Sequence, residues 1–531
     1  MHKRISVAFF SLIFIFGLLV SNMGIIMLKT GISPSSQITS KKSIVLSNSR
    51  GMIYDTNMKK IVNSDKKSIT VCLPTQKALN AVKNSLDENQ LKELYDNIKI
   101  GKISVFETLD TFHNSYIQSA TEIERYSHNQ PCIHLIGHLD ENSQGVMGLE
   151  KAYNSYLSRY SGELKAVWSS DAIGNILLGE GIKFESNNYL SPAGIQLTID
   201  LDIQKIAENA LINNNIEKGA VVILNSFTNE ILAMASIPKF NPNDLSADIN
   251  NENSPFINRA ITPYSIGSVF KPIVSACALE NNIQLTYSCN GSIEINGTTF
   301  RCSNNIAHGT VDMYSAMEES CNCYFIALGQ KLNSEKLLNL CSDFGFGKSL
   351  ELADNYTTKS GNLPSFDSIS SPQSLANISF GQGDLLASPL QLALVYSCFA
   401  NGGYYRAPTL MKGIIDESGK IIQKVKLPDS YRILNKSTVD KTNDILMNVV
   451  VNGNGQKAYS NFTINHGKTA TAQSGWYENG REINHTWFCG YFTTNDATYT
   501  VVIFKDDGKS GSTDCAPAFK YISEGISSIN K

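Results

Sequence analysis

The sequence predicts a multi-domain α+β protein attached to an N-terminal transmembrane helix. Three observations lead there: an uncharged run over residues 5–28, a mixed stretch of short helices and strands up to about residue 196, and then a strand-like run, an amphipathic helix and two strands around a turn. The 531 residues are 42% hydrophobic and 18% charged, so the chain can bury more than one core and is no disordered polyelectrolyte. Its 45 basic residues stand against 48 acidic ones, and Lys and Arg cluster only in pairs such as Lys41-Lys42 and Lys66-Lys67. A nucleic-acid partner has little support in that charge pattern.

MHKR precedes ISVAFFSLIFIFGLLVSNMGIIML, residues 5–28, which is long enough to cross a bilayer as one helix. A cleaved signal peptide has a shorter apolar core, about 7–15 residues, ending in a small-residue site. Neither feature is clear here, and the segment reads as an uncleaved anchor. Lys3 and Arg4 precede it, so the positive-inside rule puts residues 1–4 in the cytoplasm and the rest of the chain outside. Residues 29–42 form a polar, Ser-rich tether.

Structured sequence begins near SIVLSNSRGMIYD, and residues 43–196 read as one domain, with helical stretches such as QKALNAVKNSL and LEKAYNSYLSRYSG between short strands. At GIQLTIDLDIQ the pattern changes. A strand leads into an amphipathic helix, and GAVVILN and EILAMAS flank the turn SFTN, so a second domain occupies residues 197–531. No internal repeat is present, which excludes a solenoid or a propeller.

The chemistry begins at SIGSVFKPIVSACALE, residues 265–280. At a helix start Ser268 and Lys271 lie one turn apart on one face, so the amine can take the proton that makes the hydroxyl a nucleophile. Apolar neighbours such as Val269 and Phe270 favour the neutral amine. Ser-x-x-Lys is cheap on its own and recurs along the chain, at Ser64, Ser236 and Ser268 among other places. The first lies in a charged, loop-like segment and the second contains Pro238, so neither is a good helix start. Further along, AMEESCNCYFIALGQ carries Ser320 and Asn322, and HGKTATAQ carries Lys468 and Thr469 on a strand.

Ser-x-x-Lys, Ser-x-Asn and Lys-Thr-small, in that order, form the signature of penicillin-recognising serine enzymes. With SRGMIYD, GVMGLEKAYNSYL, LTIDLDIQ, SFGQGDLLASPLQLA, HTWFCGYF and APAFKYI, the chain resembles the class B penicillin-binding proteins, monofunctional peptidoglycan transpeptidases, over about residues 43–530. The resemblance implies a pedestal domain of the dimerisation type, then a transpeptidase domain with a five-stranded antiparallel sheet packed by helices. It also implies roles. Ser268 attacks the carbonyl between the last two D-alanines of a stem peptide, Lys271 is the base and Ser320 relays the proton. Asn322 holds the donor amide and helps fix Lys271, and Lys468 influences the charge state of Lys271. Thr469 and Thr471 face the terminal carboxylate, and the backbone N–H groups of Ser268 and Thr471 form the oxyanion hole.

Ala470 departs from the pattern by standing where the family has glycine, beside the substrate, and its methyl group is expected to narrow the cleft for bulky β-lactams. Ile266 replaces a usual proline, which affects only loop stiffness. Most of the eleven cysteines, including Cys277, Cys341, Cys398 and Cys489, sit in apolar stretches and read as buried small hydrophobes. Cys289 and Cys302 differ, because they bracket a hairpin turning at Asn296-Gly297, with His308 close behind. A disulfide, a structural zinc with His308 and a ligand from elsewhere, and unpaired thiols all fit this spacing. Catalysis itself requires no cofactor.

The expected partners are peptidoglycan stem peptides, β-lactam antibiotics, the membrane and a separate glycosyltransferase, since no paired catalytic glutamates appear in a recognisable frame. Three other readings share the motifs, of which a membrane penicillin sensor would need several spans or a cytoplasmic effector. A serine β-lactamase is usually secreted without a membrane-linked pedestal, and a non-catalytic scaffold has no need of all six polar motif residues.

Overall fold

Helix α1 (His2–Thr30) contains Ser6–Ile26, the one stretch among the described residues long and apolar enough to cross a membrane. The structure, a computed structural model, describes residues 2–30, 40–171, 173–478 and 480–529. Most of the expected tether, residues 31–39, therefore lies outside the described residues, and a strand begins at Ser40.

Two compact units form, and they do not follow chain order. The first comprises Met1–Ser49, Asp65–Glu124 and Gly162–Leu190; the second comprises Arg50–Ser64, Arg125–Ser161 and Ser191–Lys531. In the first unit Ser40–Ser49 pairs with Gly162–Ser170, and a separate four-stranded sheet carries the helices Gln76–Val82 and Glu88–Lys99. Leu79, Val82 and Leu94 of those helices bury against Cys72, Phe106 and Ile117 of the sheet.

In the second unit a buried ion cluster explains the Arg-Gly and Gly-Leu-Glu segments. Glu150, fully buried, accepts from Arg50 Nε at 2.9 Å and from Arg125 Nε at 2.7 Å. Removing one partner of such a cluster strands a buried charge, at a cost of about 3–5 kcal/mol. Gly51 passes so close to Leu157 that an added Cβ would stand 3.1 Å from its backbone. The stretch LEKAYNSYLSRYSG forms two helices, Gly148–Ala152 and Asn154–Arg159, because Asn154 Oδ1 is held at the break by Arg50 and by the Gly145 N–H.

The core of the second unit follows from strand alternation. After α2 (Leu201–Asn213) come β1 (Gly219–Asn225), β2 (Ile231–Ile237), α3 (Lys271–Glu280), α4 (Asn322–Gly329), α5 (Pro389–Ala400) and α6 (Lys436–Val451). The chain ends with β3 (Ile464–Glu478), β4 (Arg481–Thr493), β5 (Thr498–Lys505) and α7 (Ala516–Ile529). The strands form the expected five-stranded antiparallel sheet in the order β2-β1-β5-β4-β3. Val221, Ile223, Phe488, Val501 and Ile503 cluster with apolar residues of α2 and α7, whereas Ala220, Val222, Trp487, Val502 and Phe504 join those of α3 and α5. Both faces of the sheet are thus dry, and α5, apolar on every side, is buried between its neighbours. β3 pairs only with β4, so it is the edge of the sheet.

The predicted hairpin is present as Ser292–Ile295 and Thr298–Arg301, with Asn296 and Gly297 both at positive φ, as a tight hairpin turn requires. Cys289 does not face Cys302 across it. It lies instead in a separate two-stranded ribbon, opposite Gly309.

Candidate active site

Ser268 lies in a single 3-10 turn, Gly267–Phe270, that runs directly into α3. Residues three apart eclipse one another in this tighter helix, which puts Ser268 and Lys271 on one side. Gly267 is required here twice over. Its φ is +60°, and a Cβ would come within 2.9 Å of the Ala472 methyl group on β3. The turn is held to the Ser-Phe-Gly-Gln-Gly segment by the Gly267 N–H, which donates to the Gly381 carbonyl at 2.9 Å.

Lys271 is wholly buried, and its amine donates to the Ser320 carbonyl at 2.7 Å, the Ser320 hydroxyl at 3.1 Å and Asn322 Oδ1 at 2.8 Å. Burial pulls Lys271 down to about 7, although the Cys321, Cys302 and Cys323 thiols act in the opposite sense. An amine near that value is a usable base at neutral pH. Ser320 has a positive φ of 55°, a backbone conformation that costs a non-glycine residue about 1–3 kcal/mol and that turns its carbonyl and hydroxyl toward the same amine. Asn322, the first residue of α4, donates its amide to the Arg301 carbonyl at 3.0 Å, so the hairpin also holds this group in place.

On β3, Lys468 is fully buried and donates to the Thr469 carbonyl at 3.0 Å. Desolvation and then the charge of Lys271 drive its own amine well below the usual lysine range. The Thr469 hydroxyl bonds Asn454 Oδ1 at 2.8 Å, and exposed Thr471 accepts from the Gly511 N–H at 3.4 Å. Ser268, Ser320, Asn322, Thr469, Ala470 and Thr471 all border one cleft of about 650 Å³. A comparable groove of about 690 Å³ at the opposite end of β3, beside Phe462 and Ile464, holds none of the motif residues.

The Ala470 methyl group is not an obstacle in open cleft. Ala470 is only 3% exposed, and its Cβ lies 3.5 Å from where a Cβ on Gly267 would stand, so it packs toward the serine-bearing turn. Ala470→Gly is therefore expected to change acylation by large and small β-lactams by the same factor. A cleft obstruction would instead favour the large ones about tenfold, and stopped-flow acylation with one ligand of each size decides between the two.

Beside these groups lies a thiol cluster. Cys302 Sγ is 3.7 Å from both Cys289 and Cys321 and 3.4 Å from Cys323, and Cys289 Sγ is 3.4 Å from His308 Nδ1. No disulfide is formed, and Cys277, Cys341, Cys398 and Cys489 are buried as expected. The ligand atoms of Cys289, Cys302, His308 and Cys321 all lie within 4.8 Å of one another. Tetrahedral zinc with sulfur ligands at about 2.3 Å needs sulfurs roughly 3.8 Å apart, so the donor set and its spacing fit that ion. The thiol bonds lower Cys302 and raise Cys321 and Cys323 in turn, so without a metal the cluster favours a single thiolate, at Cys302.

Cys321 and Cys323 were missed as neighbours of the cluster, though Ser-Cys-Asn-Cys interleaves them with the second motif. Arg301 and Asn454 carried no sequence signal, because both act through contacts distant in the chain.

The penicillin binding protein transpeptidase domain model matches residues 219–524. Stage V sporulation protein D of Bacillus subtilis is 28% identical over 510 residues, covering 88% of this chain and 76% of that protein. Peptidoglycan D,D-transpeptidase FtsI of Escherichia coli is 30% identical over 292 residues, covering 54% and 48%. Among solved structures, penicillin binding protein 3 of Mycobacterium tuberculosis, complexed with aztreonam, has a TM-score of 0.66 at 20% identity, over 92% of this chain and 97% of that one. A peptidoglycan synthase complex that coordinates polymerization and crosslinking has a TM-score of 0.70 at 23% identity, over 99% and 98%. With three motifs converging on one cleft and a family match across more than half its length, the chain belongs to the penicillin-binding protein transpeptidases, as a class B member.

Proposed function

We propose that this protein is a membrane-anchored serine D,D-transpeptidase that cross-links peptidoglycan and is covalently inhibited by β-lactams. The observation that carries the proposal is the buried Lys271 amine, fixed by Ser320 and Asn322 one turn from Ser268. Ser268 Oγ attacks the carbonyl between the two terminal D-alanines while Lys271 takes its proton. Ser320 passes a proton to the leaving nitrogen, the C–N bond breaks, and the last D-alanine departs. An amine from a neighbouring stem then attacks the ester, and the proton it loses returns to Ser268. Backbone N–H groups of Ser268 and Thr471 stabilise the oxyanion in both steps, Thr469 and Thr471 hold the carboxylate, and the titrations of Lys468 and Lys271 are linked.

In this reading residues 1–4 are cytoplasmic, residues 43–196 act as the pedestal, and residues 197–531 work outside the cell. The polymerase is a separate protein, in keeping with the complex of polymerization and crosslinking that this fold resembles. A fluorescent penicillin tests the reading: a label stable for hours supports transpeptidase, one lost within minutes means a β-lactamase, and no label leaves a scaffold.

The thiol cluster adds a structural zinc, held by Cys289, Cys302, His308 and Cys321, which would tie the hairpin to the segment carrying Ser320 and Asn322. Purified protein is expected to contain about one zinc per chain, and a chelator is expected to lower its melting temperature. A metal-free protein with two thiols missing from the eleven in the sequence would have a disulfide instead, and one with all eleven titratable would have neither.

A further inference from the structure

The hairpin of β3 and β4 extends past the sheet. β5 supports β4 only as far as Thr486, paired with Lys505, whereas β3 and β4 stay paired out to Glu478 and Arg481. The overhang is a two-stranded ribbon with a bulge in it. Gln473 pairs with Asn484 and Tyr477 with Glu482, so Ser474, Gly475 and Trp476 stand opposite Ile483 alone. Gly475 takes a φ of +75°, and its N–H donates to Glu482 Oε1 at 3.3 Å. Gln473 Nε2 donates to Glu482 Oε2 at 2.7 Å, and Arg481 is paired with Asp507 at 2.6 Å, so the ribbon is braced on both sides. The bulge leaves Trp476 73% exposed and Tyr477 69% exposed. The other tryptophans, Trp168 and Trp487, are half-buried and buried. Two adjacent uncovered aromatics on a braced ribbon are the form of a stacking surface.

The ribbon continues the substrate cleft, because Gln473 and Asn484 at its base border that cleft together with Ser268 and Thr471. Before Thr471 the strand is covered: Thr469 bonds Asn454 and residues 467–470 are buried, and the groove further back beside Phe462 and Ile464 holds none of the motif residues. Beyond Thr471 the strand is largely open. A stem peptide with its carboxylate at Thr469 and Thr471 can extend along the open part of the strand, toward the ribbon. Trp476 lies five positions beyond Thr471, roughly 10–16 Å allowing for the bulge, and a stem of four or five extended residues spans about 13–17 Å.

We propose that Trp476 and Tyr477 form a carbohydrate subsite that stacks against the sugar bearing the donor stem peptide. The proposal rests on the transpeptidase reading and deepens it. A pyranose ring offers an apolar C–H face for the aromatics, and its hydroxyls match the carboxylates of Glu478 and Glu482 beside them. Those same carboxylates disfavour an anionic lipid surface.

The test uses the full chain in detergent, with two competitors of fluorescent-penicillin labelling: a disaccharide pentapeptide and the same pentapeptide without sugar. The wild type is expected to prefer the sugar-bearing ligand about tenfold, and W476A/Y477A to lose that preference. Phe227→Ser, an exposed aromatic in the turn between β1 and β2, should keep it. Equal competition by both ligands in the wild type, or a preference that survives W476A/Y477A, overturns the subsite. So does a blue shift of the Trp476 fluorescence on anionic vesicles without any sugar preference, which would make the ribbon a membrane contact. Failure of the wild type to take any penicillin label would overturn the transpeptidase reading itself.

Discussion

Ser268→Ala is expected to abolish covalent labelling by penicillin, a loss of at least about a thousandfold in acylation, while the melting temperature stays close to that of the wild type. Ser64→Ala and Ser236→Ala should label normally, and the structure gives the reason. The Ser236 hydroxyl is occupied by the Arg259 N–H at 3.0 Å and the Ile257 carbonyl at 3.2 Å, and Lys239 is bound to Glu208 at 2.6 Å. Lys67, the partner that the spacing gives Ser64, is paired with Glu124 at 2.7 Å and Glu107 at 3.2 Å. The bonds to Glu124 and Glu107 raise Lys67 above the usual lysine range, so it stays charged and cannot accept a proton. Of these three lysines, Lys271 alone is buried among neutral acceptors. Mass spectrometry of the labelled protein locates the adduct, and a Ser268→Ala protein labelled at the wild-type rate would show that another residue is the nucleophile.

What the sequence disclosed, and what it hid, divides by the range of the interaction. The continuous apolar run GAVVILN and the Asn296-Gly297 turn are local signals, and both elements formed where they were expected. The order of the three motifs carried the site, since each motif's chemistry depends on residues only a few positions apart. Local pattern could not tell that Arg50 and Arg125 meet Glu150 and so bring residues 50–64 and 125–161 into the second unit. Nor could it supply Cys321 as the partner of Cys302, because 19 residues and a helix separate the two thiols in the chain. Period-two alternation put Ala470 on the same side as Lys468 and Ala472, but which side faces the serine turn is decided by packing against Gly267. The ribbon depends on a register shift after Gln473, which no hydrophobic pattern encodes.

Lys271 provides the second large effect. Replacing it with alanine removes the base, worth about 10²–10⁴ in acylation rate, and also leaves the Ser320 carbonyl and Asn322 Oδ1 without the donor they share. A lower rate alone would thus be ambiguous, because a collapsed site also acylates slowly. Lys271→Met fills nearly the same volume without a titrating group, and the pH profile separates the two causes. Burial has lowered the wild-type amine to about 7, so below that pH it is protonated and cannot act as a base, and acylation should rise with pH through about 7. The titrating groups around it are the Cys321, Cys302 and Cys323 thiols, which oppose that lowering, and Lys468, whose own amine is lowered by burial and then by the charge of Lys271. In Lys271→Met the residual acylation should lose this rise, because the group that produces it is gone. A wild-type profile flat between about pH 6 and 8, or a methionine variant that keeps the same rise, would remove Lys271 from the proton transfer and leave it only a positioning role.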